Sequence, residues 1–212
     1  MEGIFIGLKI ILLMPKNLRK IEPNDLLSFE EYSKIREQRV NIVREIKKYR
    51  RISVGPDATF YFENYETMLH QIQEMLHIEK GGEEQIVDEL TAYNPLIPNG
   101  HELVATVMFE ISDEIRRKEV LGKLGGVEDN FFIIIGNQKI KGIAEDDVER
   151  TNSHGKASSV HFLHFPFSQD DMGKFFQGKE EVKISITHQN YNYSETLDNR
   201  NRLALAEDFI RP

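Results

Sequence analysis

The sequence contains no cysteine among its 212 residues. This absence excludes disulfides, a thiol nucleophile, iron–sulfur ligation by this chain and cysteine zinc sites, which leaves histidine and carboxylates as the plausible metal ligands. The chain also lacks a P-loop, a G-x-S-x-G elbow and an H-E-x-x-H motif, and its glycines form no dinucleotide-binding fingerprint. The sequence therefore indicates no particular cofactor and no common catalytic class.

The charge balance narrows the range of partners. The formal net charge is −8 and the sequence pI is near 5.4. An acidic surface repels phosphate backbones and anionic membranes, so we expect neither nucleic acid nor a membrane as a partner. One basic cluster, residues 44–51, lies at the end of a predicted helix, where cations complement the helix dipole.

The first residues form an apolar run that does not fit the rest of the chain. Residues 3–14 are apolar apart from Lys9, but they are too few to span a bilayer, which needs about 20 residues. Glu2 stands where a signal peptide carries basic residues. We therefore expect a cytoplasmic protein in which residues 1–14 are an extension or reflect a mis-assigned start, and residues 15–212 form one domain.

Capping residues and apolar periodicity predict the helices. A capping box at residues 28–31 begins a long helix that ends at about Tyr49. Arg39 lies on the apolar stripe of this helix, and we expect its side chain to extend into solvent. The alternative is that it reaches a carboxylate. Asn64 predicts the N-cap of a second helix. Further helices are expected at about 86–93, after Ser112, after Ser168, and from Asn199 with Leu203, Ala206 and Phe209 facing inward.

Predicted strands alternate with these helices. Turn sequences at residues 55–57 and 136–138 indicate hairpins, which join antiparallel strands. The polar stretch 189–198 is predicted to be a loop. The combination predicts an α+β fold, a single domain with a largely antiparallel mixed sheet and packed helices. The strands are expected at residues 51–54, 58–62, 103–111, 131–135, 139–144, 158–165 and 182–187.

Candidate catalytic chemistry centres on one histidine in a strand. Ser159 and His161 share a strand face, but a nucleophile–base pair needs direct contact and an orienting acid. We therefore expect His161 to act as a general acid–base or ligand-binding group, with Glu149 or Glu79 as its partner. The alternative is a structural histidine in the sheet that is hydrogen-bonded to a backbone carbonyl. Glu79 falls within the apolar arc of its helix, where a buried carboxylate would need a partner.

A weaker metal hypothesis rests on one helix. Glu74 and His77 have the Glu-x-x-His spacing of di-iron bundles, but such sites need two copies and this chain has one. His70, Glu74 and His77 share a flank of the helix and could supply three ligands to a mononuclear site. The alternative is a solvated helix face.

Four segments together resemble one protein family. They are DLLSFEEY (25–32), the stretch 55–80, DELTAYNPLIPNG (88–100) and ERTNSHGKASSVHFLHF (149–165). In these segments, and from about Leu18 to the C-terminus, the chain resembles the bacterial domain of unknown function family 3501. The family has no established activity. The resemblance implies a context instead, because its members are encoded beside rubrerythrin-type di-iron proteins and iron–sulfur oxidoreductases.

The same resemblance identifies candidate ligand-binding positions. His77 and His164 depart from the family pattern, which has basic residues there, and this counts against the metal hypothesis. The first 14 residues lie outside the pattern. The candidate ligand-binding residues on matching positions are Glu63, Gln71, Glu74, Arg150, Lys156 and Ser159.

The leading hypothesis is an accessory or binding protein in a peroxide or iron redox pathway, with a rubrerythrin-type or iron–sulfur protein as its partner. It would act through a polar pocket between segments 55–80 and 149–165. The first alternative is a non-thiol hydrolase or lyase that uses His161 as its acid–base group. The second is a mononuclear metal protein with histidine and carboxylate ligands.

Overall fold

The computed structural model describes residues 19–145 and 156–210. These residues form helices and antiparallel sheets, so the predicted single-domain α+β fold is confirmed. Within it the chain forms two compact units. Of the described residues, the helical unit contains 19–45 together with 64–97, and the sheet unit contains 46–63, 98–145 and 156–210.

The described part of the chain contains six α-helices. Three of the predicted caps are confirmed. Asn64 and Ser168 accept the backbone N–H groups of Thr67 and Asp171, and the capping box of Ser28 and Glu31 is formed. None of these helices is long and apolar enough to cross a membrane. The helices are α1 (Phe29–Lys48), α2 (Tyr65–Glu79), α3 (Gly82–Tyr93), α4 (Glu114–Gly122), α5 (Gln169–Gln177) and α6 (Asn199–Ala206).

Two details of the predicted helices are wrong. The cap of α4 is Asp113 and not Ser112, and its carboxylate accepts the N–H of Arg116 at 2.6 Å. A carboxylate at this position also gains from the positive end of the helix dipole. In α6, Leu203 is exposed and Leu205 is the buried residue. Ala206 and Phe209 contact the core as predicted, so the error is confined to Leu203.

The strands of the sheet unit form two antiparallel sheets. The first has the order β1-β2-β3-β7-β6 and the second the order β5-β4-β8-β9. The strands are β1 (Arg51–Val54), β2 (Ala58–Phe62), β3 (Glu102–Phe109), β4 (Phe131–Ile135), β5 (Gln138–Lys141), β6 (Ile143–Ala144), β7 (Val160–Pro166), β8 (Val182–His188) and β9 (Tyr191–Thr196).

Two predicted strand boundaries are corrected. The stretch 189–198 was predicted to be a loop but contains β9, an edge strand in which only Tyr191 is buried, so its sequence is polar. The predicted strand 139–144 divides at Gly142, where the chain passes from one sheet to the other. A Cβ at Gly142 would lie 2.9 Å from the ring of Phe165, so a larger residue would displace that ring.

One apolar core receives side chains from both sheets. Phe60 of the first sheet meets Phe131 of the second edge to face at 5.9 Å between ring centroids. The hydroxyl of Tyr191 accepts the N–H groups of Asp57 and Ala58, both at 2.9 Å, and donates to the carbonyl of Val54 at 2.8 Å. The second sheet thereby fixes the turn between β1 and β2.

Arg50 forms a buried ion pair in the sheet unit. Its side chain is 2% exposed and pairs with Asp208. The guanidinium also donates to the carbonyls of Ala204 at 2.7 Å and of Phe62 and Glu63 at 3.1 Å each. The interpretation of this residue as a solvated helix-end cation is therefore wrong. A buried charge of this kind persists only with such complete hydrogen bonding.

Replacement of Arg50 by methionine should be strongly destabilising, because it leaves Asp208 buried without its cation. We expect a loss of about 3–5 kcal/mol in the free energy of unfolding, measured by urea titration with circular dichroism. Arg51→Met is the matched control. Its exposed pair with Glu110 at 3.4 Å should contribute about 1 kcal/mol or less. Equal losses in the two variants would contradict this account.

Candidate functional site

A cleft of ≈ 200 Å³ opens in the helical unit between the 3-10 turn Pro23–Asp25, α1 and α2. Apolar side chains form part of its wall and polar side chains form the rest. We call it the Tyr32 cleft, and it is lined by Asn24, Asp25, Leu27, Tyr32, Ile35, Arg39, Leu69, His70 and Gln73.

A bidentate ion pair joins the two helices beside this cleft. Arg36 donates from Nε and Nη2 to the two oxygens of Glu74, at 2.9 and 2.8 Å. The hydroxyl of Tyr32 donates to the same carboxylate at 2.7 Å. The bonds from Arg36, helped by that from Tyr32, outweigh burial and lower the pKa of Glu74 to about 2. Glu74 is therefore ionised at neutral pH and acts only as an acceptor.

The ionised carboxylate also fixes the orientation of His70. Tyr32 has one hydroxyl proton, and this proton is donated to Glu74. The contact of 3.1 Å between the Tyr32 oxygen and His70 Nδ1 must then carry a proton on Nδ1. Burial, followed by the hydrogen bond to Glu74, raises the pKa of Tyr32, so the phenol stays neutral. In this arrangement His70 Nδ1 is the donor and the Tyr32 oxygen is the acceptor.

Arg39 is buried and does not extend into solvent as predicted. It is 8% exposed, and its Nη2 donates to Glu66 at 2.9 Å. Glu66 lies in the first turn of α2, where a carboxylate is also favoured by the helix dipole. The alternative, a carboxylate partner, is the one that the structure shows. The periodicity of α1 does not reveal this partner, because it comes from another helix.

One carboxylate of the cleft lining has no ion-pair partner in the described residues. Glu66 pairs with Arg39, and Glu74 pairs with Arg36. Asp25 accepts the backbone N–H of Glu22 at 2.8 Å, but within residues 19–145 and 156–210 it forms no ion pair. The lining together with these ion-pair partners therefore contains three carboxylates and two guanidinium groups.

Two amide side chains hold the segment that supplies Asp25. Gln73 accepts the N–H of Leu27 at 2.6 Å and donates to its carbonyl at 3.3 Å. Asn94 does the same for Ile21, at 2.7 and 3.0 Å. Each amide thus makes the two hydrogen bonds that a neighbouring strand would otherwise make to the backbone of that residue. The stretch 21–27 is thus fixed at both ends and forms one wall of the cleft.

The other predicted residues of the helical unit lie outside this cleft. Glu79 is the last residue of α2 and is exposed, and it accepts from Gln85 at 2.9 Å, so it is not buried within the apolar arc. Gln71 donates to the hydroxyl of Tyr93 at 3.4 Å. The predicted roles of Glu79 and Gln71 remain predictions.

The geometry gives the metal hypothesis no support. His77 stacks on the ring of Phe29 at 4.8 Å, and Glu74 uses both oxygens on Arg36. Within the part of the chain that the structure describes, no group of three or more histidine, aspartate or glutamate side chains is arranged to bind a metal.

His161 lies in the core of the sheet unit and is 1% exposed. Its Nε2 is 3.0 Å from the carbonyl oxygen of Ser158. The rings of Phe109 and Phe131 lie at 6.1 and 5.5 Å from the imidazole. This is the arrangement that the alternative interpretation described, a sheet histidine beside a backbone carbonyl.

The remaining candidates do not gather around His161. Glu63 is buried and accepts from the hydroxyl of Thr106 at 2.9 Å. Lys156 is exposed and Ser159 is half-buried. Glu149 and Arg150 lie outside the described residues, so their predicted roles stay predictions.

Sequence reasoning missed several residues of the cleft region. The signal was present as two polar rows at helical spacing: Tyr32 and Arg36 on α1, and Glu66, His70 and Glu74 on α2. The rows carry complementary charge. They become informative only when the two helices are known to pack together.

The low pKa of Glu74 predicts a specific pH dependence. A carboxylate with a depressed pKa in the folded state contributes stability above its ordinary pKa, and this stability is lost as the pH falls. Glu74→Gln should therefore be less stable than wild type at neutral pH, and the difference should shrink as the pH falls from 4.5 towards about 2. Urea titrations at several pH values measure it. The exposed Glu79→Gln should match wild type throughout, whereas a Glu74→Gln deficit that is constant with pH would contradict the assignment.

Comparison with known proteins finds a matching family and a similar solved structure. The profile of the family described as protein of unknown function (DUF3501) matches residues 20–209. A crystal structure of a novel protein of unknown function from Burkholderia pseudomallei K96243 is 35% identical in sequence, with a TM-score of 0.83. That similarity covers 90% of this chain and 100% of the other. Among curated proteins, none matches significantly.

Proposed function

This chain belongs to the DUF3501 family of proteins of unknown function, and we propose that it is a binding protein that holds a small organic cation in the Tyr32 cleft. The observation that carries the proposal is the burial of Tyr32, Arg39 and Gln73, which are 1%, 8% and 5% exposed and all line this cleft. Burying polar groups costs free energy. Buried polar side chains in a cleft are therefore expected where they hold its wall or a ligand in place.

The size of the cleft limits the ligand. Its ≈ 200 Å³ is below the range of about 300–1,000 Å³ that is typical of sites for drug-sized molecules. Leu27, Ile35 and Leu69 supply apolar contacts. A single ring or a short branched chain with one polar end fits these dimensions.

The charge of the lining selects the polar end of the ligand. Arg39 and Arg36 are neutralised by Glu66 and Glu74. The carboxylate of Asp25 remains to attract a positive group, and the low dielectric of a partly enclosed cleft strengthens this attraction. The ligand class is therefore an amine or amidine with an apolar body.

An accessory role in a peroxide or iron redox pathway, beside a rubrerythrin-type or iron–sulfur protein, is the wider setting that we propose. It rests on the family resemblance alone. A chain without cysteine cannot hold an iron–sulfur cluster by thiolate ligands, so its contribution would be to bind a small molecule or to contact the partner.

The rival proposals have weaker support. A hydrolase or lyase that uses His161 requires substrate to reach an imidazole that is buried against Phe109 and Phe131. A mononuclear metal site at His70, Glu74 and His77 requires Glu74 to release Arg36. The polar pocket between segments 55–80 and 149–165 includes residues outside the described chain and stays a prediction, so the present proposal uses the helical unit alone.

Three matched probes test the proposal: benzamidine, benzamide and benzoate share a ring and differ in charge. We expect saturation-transfer NMR to show binding in the order benzamidine, benzamide, benzoate. Asp25→Asn keeps the size of the side chain and should remove the preference for benzamidine over benzamide. Ile35→Trp fills the cleft and should abolish the binding of all three.

Ile115→Trp makes the same replacement at an exposed position of α4 and is the matched control, which should bind like wild type. Circular dichroism confirms that each variant is folded. Absence of binding in wild type, or benzamidine binding that survives in folded Ile35→Trp, would contradict the proposal. A stronger signal from benzoate would contradict the cationic ligand class.

A further inference from the structure

A second groove, of ≈ 380 Å³, lies in the helical unit where α1 begins and where α2 is followed by α3. Its apolar side chains are Leu27, Phe29, Leu76 and Ile86. Carboxylates of Glu30 and Glu83 also line it. We call it the Phe29 groove, and the ligand proposed for the Tyr32 cleft does not account for it.

Phe29 is held in a fixed position within this groove although it is 43% exposed. Its ring is stacked on His77, with an interplanar angle of 10°. The ammonium group of Lys80 lies over the same ring, 4.7 Å from its centroid. An aromatic side chain that is oriented in advance and partly exposed loses little entropy when a partner covers it. This is the usual character of an anchor residue in an interface.

The backbone at Lys80 supports a role for the groove. Lys80 has φ of 55° and is the only residue other than glycine with a positive φ in the described ranges. Helices usually end in this conformation at a glycine, because a Cβ is disfavoured there. The next two residues are glycines, so the helix could have ended at a glycine without this cost. A lysine at this position instead places its ammonium group over the ring of Phe29.

The charge around the groove identifies the chemistry of its partner. Glu30 and Glu31 lie in the first turn of α1, and Glu83 and Glu84 in the first turn of α3. Within the lining itself, Glu30 and Glu83 outnumber the one cation, Lys80. A partner must therefore bring apolar side chains for the groove and positive charges for its surroundings.

We infer that the Phe29 groove docks a basic amphipathic helix of a partner protein. Its apolar residues, at helical spacing, would contact Phe29, Leu76 and Ile86, and its lysine or arginine residues would face Glu30 and Glu83. Helix-in-groove recognition uses this combination of apolar anchors and flanking charge. Electrostatic complementarity adds to the association rate and to specificity.

A fluorescein-labelled helical peptide of leucine and lysine, with its leucines on one face, is the probe. Its comparators are a peptide in which glutamate replaces lysine and one of equal composition with the leucines spread over all faces. Fluorescence anisotropy should show binding of the first peptide and at least about tenfold weaker binding of the other two. Equal binding of the scrambled peptide would reduce the interaction to general attraction between opposite charges and overturn the inference.

Ile86→Asp should weaken the binding of the leucine–lysine peptide at least about tenfold. Val87→Asp is the matched control, because Val87 is the next residue of α3, is 63% exposed and does not line the groove. It should bind within about twofold of wild type. Equal effects of the two substitutions, or undiminished binding by folded Ile86→Asp, would overturn the inference.

Two further measurements decide the remaining outcomes. Should Ile86→Asp fail to fold, the double variant Glu30→Gln, Glu83→Gln removes charge without changing size, and it should weaken binding and reduce its dependence on salt. Binding by this double variant that equals wild type would overturn the inference.

Sedimentation of the wild-type protein tests for self-association. A dimer that the double variant dissociates would make a second copy of this chain the occupant and would likewise overturn it.

Discussion

The bidentate ion pair between Arg36 and Glu74 is the constraint on which the helical unit depends. It joins α1 to α2, and it keeps Glu74 ionised at neutral pH. An ionised Glu74 accepts the hydrogen bond of the Tyr32 hydroxyl, and the Tyr32 oxygen contacts Nδ1 of His70. One charge pair thus orients the polar side chains along a wall of the Tyr32 cleft. Glu74 is partly buried, and three hydrogen bonds, two from Arg36 and one from Tyr32, compensate for the water that its carboxylate loses.

The sheet unit relies on a different buried pair, Arg50 with Asp208, for which the backbone supplies the additional acceptors. Arg36 lies close to solvent, with a side chain that is 43% exposed, whereas Arg50 is enclosed. The two pairs therefore have different roles: the first orients polar groups beside a cleft, and the second stabilises the end of the chain against the sheets.

Local sequence patterns predicted most of the fold, because caps and turns act over a few residues. Asn64 and Ser168 cap their helices as expected, and the hairpin at residues 55–57 forms where glycine and proline indicate it. The failures share a cause. The edge strand β9 is polar because only one neighbour covers it, and Arg50 looked like a surface cation because Asp208 is 158 residues away along the chain. Pairing over such a separation leaves no trace in a short window.

The site was less predictable than the fold for the same reason. Glu74 was recognised on a matching family position. The roles of Tyr32, Arg36 and Asp25 depend on residues of other elements, which sequence spacing does not show. His161 was a candidate because of its chemistry, although its neighbours in the fold are aromatic rings.

The most direct test of the account is a crystal structure of the protein with benzamidine. We predict the probe in the Tyr32 cleft with its amidinium at Asp25 and its ring between Leu27 and Leu69. Electron density for the probe only at other surfaces, with the Tyr32 cleft closed or filled by protein atoms, would contradict the proposed function.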